Sequence, residues 1–268
     1  MIYLGCAGWS LSSRDAEAFA QPGSHLQRYA TRFNAVEINS SFYRPHRPET
    51  YARWASSVPE GFRFAVKLPK AITHEQQLQG CEYALDTFLA QCGQLGDRLG
   101  CLLVQLPPSL QHHPQQARRF FESLRQRYAG PVALEPRHAS WQSAQQMLAD
   151  LRIAQVAASP ARFVTDGQPG GWPGLVYWRL HGEPRIYHSE YASEYLQQLA
   201  ERLQQSHAAG ACVWCIFDNT ASGAATVNAL ALEQRLRRAG RAHQGTEKSG
   251  DQLVKINESF SAWLAPLV

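Results

Sequence analysis

Eight short apolar runs recur along this chain, and most are separated by segments whose apolar residues follow helical spacing. The runs are residues 2–7, 35–40, 63–68, 101–106, 132–137, 153–158, 175–181 and 212–218. Most are rich in Val, Ile, Leu and aromatics, as parallel strands buried on both faces should be. Parallel neighbours cannot be joined by a tight turn, so each pair needs a crossover, usually a helix. Strand–helix alternation repeated to this number predicts an α/β fold of TIM type, a (β/α)8 barrel, with an open doubly wound sheet as the alternative.

The crossovers read as follows. Ser24 is a candidate N-cap for a helix through Tyr29 to Phe33, and Pro48 suits the first turn of a helix carrying Tyr51 and Trp54. Residues 83–99, 114–128, 144–151, 190–205 and 225–238 show helical spacing, with Gly130, Gly210 and Gly240 as stops. Residues 159–174, which include Gly170-Gly171-Trp172-Pro173-Gly174, have no helical period. An irregular loop is therefore expected to replace most of the sixth helix. Residues 1–240 form one barrel domain in this reading. Residues 241–268, polar and then apolar with Phe260, Trp263, Leu264 and Leu267, form an extension packed on it.

Composition narrows the class. A length of 268 residues, 44% of them hydrophobic, fits one α/β barrel. No stretch approaches the roughly 18 apolar residues a membrane span needs, and the first residues lack a basic leader, so the expected location is the cytoplasm. Without an export signal the six cysteines read as thiols. Cys212 and Cys215 have C-x-x-C spacing but lie on a strand, where residues three apart face opposite ways, so they are not expected to pair. Net charge is +4, and 22 of the 26 cationic residues are Arg, which favours forked contacts to phosphate or carboxylate.

Charge also appears where a barrel core should be aliphatic. Glu37, Lys67, Gln105, Glu135 and Arg179 each stand between apolar neighbours near the end of a strand. If those neighbours face the helices, the polar residues face the interior, and alternation adds Asn39, Arg137 and His181 to the same face. His74, His138, Tyr187, Tyr191, Asp218 and Asn219 follow just past strand ends. Chemistry in such barrels sits at the carboxyl ends of the strands. An unpaired buried charge costs several kcal/mol, so these groups must meet one another, water or a ligand.

The same residues carry a family resemblance. Glu37-Ile-Asn-Ser-Ser-Phe-Tyr43, Phe64-Ala-Val-Lys-Leu-Pro-Lys70, Gln105-Leu-Pro-Pro-Ser109, Glu135-Pro-Arg-His-Ala-Ser-Trp141, Arg179-Leu-His-Gly182 and Phe217-Asp-Asn-Thr-Ala-Ser-Gly223 resemble the YecE-like family, also called domain of unknown function 72. The resemblance runs in order over residues 2–236. It implies a TIM-barrel fold and brings no assigned reaction with it.

The residues themselves point to an enzyme acting on a phosphorylated or other anionic small molecule. Lys67, Arg137 and Arg179 are expected to hold the anion, with Asn39, Tyr43, Gln105, Tyr187, Asp218 and Asn219 lining the site. Glu37, Glu135, His138 and His181 are the acid/base candidates, and Lys67 is also a Schiff-base or electrostatic candidate. Hydrolase, lyase and isomerase chemistry stay open. A structural alternative pairs Glu37 and Glu135 with Lys67, Arg137 and Arg179 in an internal network. A functional alternative is a nucleic-acid-binding or phosphodiester-processing protein, with or without a divalent metal held by Glu37, Glu135, His138, His181 and Asp218. Neither an H-E-x-x-H motif nor a dinucleotide fingerprint occurs.

Overall fold

The computed structural model describes residues 1–12, 15–163 and 166–238. The strands are β1 (Ile2–Cys6), β2 (Ala35–Ile38), β3 (Arg63–Lys67), β4 (Leu99–Gln105), β5 (Val132–Glu135), β6 (Ile153–Gln155), β7 (Ala157–Ser159), β8 (Gly170–Gly171), β9 (Leu175–Leu180) and β10 (Cys212–Phe217). The helices are α1 (His25–Tyr29), α2 (Pro48–Ser56), α3 (Glu82–Cys92), α4 (Pro114–Arg127), α5 (Gln145–Asp150) and α6 (Ser193–Ala208). Residues 224–238 form α7. Ser24 caps α1 in a capping box with Gln27. Pro48 and Pro114 open α2 and α4, where the missing N–H costs no helical hydrogen bond. The extension assigned to 241–268, and Gly240, lie outside the described residues.

The strands form two sheets, ordered β1-β10-β9-β7 and β2-β3-β4-β5-β6-β8, in which only β8 runs antiparallel to its neighbour. The run expected at 153–158 is divided between them. Its first part pairs with β5, and the Val156 N–H still donates to Leu134 at 2.8 Å. From Ala157 onward the chain pairs with β9 instead. One extended segment is thus handed from one sheet to the other.

At the other boundary, β1 against β2, side chains replace the backbone ladder among the described residues. The Tyr29 hydroxyl accepts from the Cys6 N–H at 2.7 Å and donates to the Ala35 carbonyl at 2.9 Å. Asn34 accepts from the Leu4 N–H at 2.8 Å and donates to the Ile2 carbonyl at 2.9 Å. β1 can come this close because Gly5 has no side chain; a Cβ there would lie 1.9 Å from the Ala35 oxygen. The fold is therefore mixed α/β with parallel sheets. The closed barrel expected from the strand count is not present as one continuous ladder. Tyr29→Phe is expected to leave the Cys6 N–H and Ala35 carbonyl buried without partners and to lower stability by about 2–4 kcal/mol in urea denaturation. Wild-type stability in that variant would show that packing alone holds this boundary.

Alternation along the strands sorts the apolar residues into two cores. Val36, Ile38, Val66, Leu68, Val104, Leu106, Leu134, Trp178 and Leu180 pack outward under the helices. Ala35, Ala65, Cys101, Leu103, Ala133, Ala154, Val156, Leu175, Tyr177, Trp214 and Ile216 form a separate inner cluster. Four alanines in that inner layer leave room for Tyr177 and Trp214, whose rings stack 5.7 Å apart. They make a floor on which charged side chains one step further along the strands rest. Cys212 and Cys215 fall on the inner and outer clusters respectively, as their spacing predicts, and the cysteines are free thiols. Among the described residues of 159–174 no helix forms; the short β8 pairs with β6. Among the described residues no helix is long and apolar enough to cross a membrane.

Candidate functional site

Strand parity places one polar group above that floor from each of several strands. Glu37 is the penultimate residue of β2, Lys67 ends β3, Gln105 ends β4, Glu135 ends β5 and Arg179 lies one residue from the end of β9. Arg137, His181 and Asp218 follow β5, β9 and β10 within two residues. Their inner-face neighbours two residues back, Ala35, Ala65, Leu103, Ala133 and Tyr177, all belong to the inner cluster.

Arg179 is the centre of the group. It is 0% exposed, as is Glu37, and the two form a forked pair: Nε donates to Glu37 Oε2 at 3.0 Å and Nη2 to Oε1 at 2.6 Å. Nη2 also donates to Asp218 Oδ2 at 3.1 Å, and Nη1 donates to Glu135 Oε2. Tyr177 donates its hydroxyl to Glu37 Oε2 at 2.9 Å. A guanidinium held by three carboxylates, with no surface in contact with solvent, is an internal counter-charge. The expectation that Arg179 itself grips a ligand's anion is corrected accordingly: it organises the carboxylates, as the structural alternative for this residue held.

His181 bridges Glu135 and Asp218, sharing Asp218 Oδ2 with Arg179. Nε2 lies 2.9 Å from Glu135 Oε1 and Nδ1 lies 2.9 Å from Asp218 Oδ2. Ionised carboxylates only accept hydrogen bonds, so both ring nitrogens must donate, which requires the imidazolium. Burial alone would lower the His181 pKa, but the Glu135 charge and the bonds to Asp218 and Glu135 raise it. Burial works against ionisation of Glu135 too; Arg179, His181 and Arg137 outweigh it and hold its pKa well below the usual carboxylate range. Asp218 is likewise lowered, against burial, by Arg179 and His181.

Two cations remain less fully matched. Arg137 makes an ion pair through Nη2 to Glu135 Oε1 at 2.7 Å, while its buried Nε has no hydrogen-bond partner. Lys67 is 5% exposed and has no ion-pair partner within 4.0 Å among the described residues; its Nζ lies 4.1 Å above the centre of the Phe42 ring. Burial, then the charge of Arg179, pushes the Lys67 pKa down to about 8 even though Glu37, Glu135 and Asp218 favour its protonation. His74 stands beside the same ring at 4.8 Å, and burial together with Lys67 and Arg137 lowers its pKa. It lies in a one-turn π-helix, Ala71–Glu75.

Two members escape the strand-end reading. Tyr177 sits two residues before Arg179, so running the alternation backward as well as forward would have found it. Asp166 lies in the aperiodic stretch, where no pattern marks it. It is 0% exposed; Oδ2 accepts from the Arg162 N–H at 2.8 Å, while Oδ1 is buried without a partner. Burial, aided by the Glu135 charge, raises its pKa to about 6 against the Arg162 N–H and the Arg137 charge.

The other expected residues divide. Asn39 is half-buried with an unpartnered Oδ1, and Gln105 is half-buried at the end of β4. His138 uses Nδ1 to accept from the Ser140 N–H at 3.2 Å, capping the short turn that follows. Tyr187 is half-exposed at φ 69°, edge-on to His181 at 6.0 Å. Asn219 turns away from the charged group: its amide donates to Ser189 and Asn228. Tyr43, 70% exposed, points outward into a separate groove, so its placement among the mouth residues is corrected. Of the residues considered for a metal, Glu37, Glu135, Asp218 and His181 are bonded to Arg179 or to one another. Among the described residues no three His, Cys, Asp or Glu side chains are disposed to share an ion.

The family model described as "Protein of unknown function DUF72" matches residues 3–252. The chain is 34% identical over 108 residues to the UPF0759 protein YecE of Escherichia coli (strain K12), covering 40% of this chain and 38% of that one. It is 28% identical over 151 residues to the UPF0759 protein YunF of Bacillus subtilis (strain 168), covering 53% and 52%. These matches span about half or less of either relative's length. Among solved structures, a DUF72 family protein from Thermotoga maritima MSB8 superposes with a TM-score of 0.71 at 25% identity, covering 88% of this chain and 99% of that one. One from Enterococcus faecalis V583 gives 0.75 at 24%, covering 88% and 96%, which bears on fold alone. Sequence motifs, strand-end charges and fold thus converge, and this chain belongs to the DUF72 family.

Proposed function

We propose that this protein is an enzyme acting on a phosphorylated or otherwise anionic small molecule by acid/base chemistry, at the carboxyl-terminal mouth of a TIM-type barrel whose wall is the two sheets taken together. The observation that carries this reading is the incomplete matching of the mouth cations. Glu37, Glu135 and Asp218 are bonded to Arg179 and His181, whereas buried Lys67 has no ion-pair partner within 4.0 Å among the described residues and buried Arg137 Nε has no hydrogen-bond partner. A purely architectural network gains nothing from a desolvated ammonium without a counter-ion. An incoming anion supplies one.

In this reading Lys67 and Arg137 hold the anion, and Asn39 and Gln105 offer polar contacts beside them. Glu135 with His181, and Asp166, exchange protons with the substrate. Arg179, Glu37 and Tyr177 fix the carboxylates in position. Thermal shifts with inorganic phosphate, sugar phosphates and dicarboxylates test it. A small anion is expected to raise Tm in the wild type, with the shift lost in Arg137→Met and Lys67→Met. Free of ligand, Lys67→Met is expected to melt higher than wild type at pH 7, since it removes a desolvated charge for about 1–2 kcal/mol. Absence of any anion effect together with a destabilised Lys67→Met would overturn the proposal.

A nucleic-acid reading draws on a different surface. Tyr43 and Tyr83 are 70% and 83% exposed and flank an apolar groove of about 270 Å³ that Arg44 and Lys70 also line. Exposed aromatics beside cations suit stacking with phosphate contact. Stabilisation by short oligonucleotides alone, fading with salt, would favour it over the mouth reading.

A further inference from the structure

We propose that Lys67 is a covalent residue, whose amine forms an imine with an aldehyde or ketone that carries an anionic group. The inference rests on the anion-binding reading above and adds the reactive group of the substrate. Three features of the geometry carry it. Lys67 Nζ makes no ion pair within 4.0 Å among the described residues, while Glu37, Glu135 and Asp218 are bonded to Arg179, and it rests against the face of Phe42 at 4.1 Å. A structural lysine in that company would be expected to take a carboxylate. The side chain is held at the mouth by burial rather than free in solvent, with 5% of its surface exposed. A titratable group shares the ring it rests on: His74 lies edge-on to Phe42 at 4.8 Å.

The chemistry follows from these positions. Imine formation needs the neutral amine, and every tenfold gain in ammonium acidity raises its fraction about tenfold at neutral pH. Nζ attacks the carbonyl carbon; the C–N bond forms as the C=O π pair moves to oxygen. The carbinolamine then expels that oxygen as water, which carries off the two protons the amine loses. Amine and carbonyl compound give imine and water, with no oxidant or reductant. Protonated, the imine draws electrons from the adjacent carbon and acidifies its C–H bonds. Arg137 is placed to receive the anionic group of the same molecule.

Sequence makes the test clean, because the chain has only four lysines, Lys67, Lys70, Lys248 and Lys255. Wild-type protein is incubated with pyridoxal 5′-phosphate or dihydroxyacetone phosphate, reduced with borohydride, and mapped by peptide mass spectrometry. Lys67 is expected to carry at least about tenfold more adduct than the exposed Lys70, with reaction rising with pH and suppressed by inorganic phosphate. Reactivity would then run against exposure, which accidental labelling cannot produce. Lys67→Arg, which keeps the charge and removes the nucleophilic amine, is expected to lose the adduct. Labelling that follows exposure, with phosphate still stabilising the protein, overturns the imine and leaves the anion site standing. Labelling that follows exposure with no phosphate effect removes both.

Discussion

Arg179→Met is expected to abolish the native fold or to lower its stability by at least about 5 kcal/mol. The substitution leaves Glu37, Glu135 and Asp218 without their shared counter-charge at sites that are 0%, 1% and 6% exposed. Removing one member of a simple buried pair costs about 3–5 kcal/mol, because the survivor keeps its desolvation penalty without its partner. Here three survivors repel one another as well. Arg179→Lys is expected to recover little, since an ammonium cannot reproduce the fork on Glu37. Adding Glu37→Gln to Arg179→Met should restore part of the loss, and the coupling between the two measures the pair directly. A soluble, cooperatively melting Arg179→Met protein within about 1 kcal/mol of wild type would show that the carboxylates protonate or hydrate without cost. The internal network would then have to be abandoned.

Stability should also be bounded in pH from both sides, and the signs follow from the direction in which each group is displaced on folding. Glu135 and Asp218 have folded pKa values below their unfolded ones. Their contribution is complete above the ordinary carboxylate range and is lost as pH falls through it toward the depressed values, each tenfold change in acidity being worth about 1.4 kcal/mol. Asp166, raised to about 6, opposes this in part, because its protonated form is the favoured one. His181 has a raised folded pKa, so its contribution is present below the unfolded value near 6.5 and is lost as pH rises through the folded one. Lys67, lowered to about 8, works the other way and recovers some stability at higher pH. Urea melts from pH 3 to pH 9 are expected to show steep acid loss and a shallower decline above neutrality, and His181→Asn should flatten that upper decline. An upper limb unchanged in His181→Asn would mean that the ring is not an imidazolium in the native state.

The strands, the capped helix starts, the absence of a helix among the described residues of 159–174 and the inward face of each strand were legible in the chain, because they depend on periodicity, caps and proline. Those are local properties, set within a few residues. Inward parity therefore identified Glu37, Lys67, Glu135, Arg179 and His181 as one group without any coordinates. It could not tell which cation each carboxylate would choose. Arg179 and Lys67 look equivalent in sequence, an isolated cation near a strand end, yet one is held by three carboxylates and the other by none.

That choice depends on distances across the interior. The large Tyr177 and Trp214 on β9 and β10, set against alanines on the opposing strands, fix how deep each side chain sits. Asp166 entered the site from an aperiodic loop, and Tyr43 left it through a local turn, neither of which strand alternation governs. The same holds for the sheet boundaries. Gly5, Tyr29 and Asn34 are ordinary in sequence, but the bridge that Tyr29 and Asn34 make between β1 and β2 forms where the strands approach too closely for a Cβ at Gly5. What the chain determined alone was the set of elements and the face each residue presents. Partnership among buried charges was decided by tertiary packing, because Coulomb energy and desolvation depend on separations of a few ångströms that no local pattern encodes.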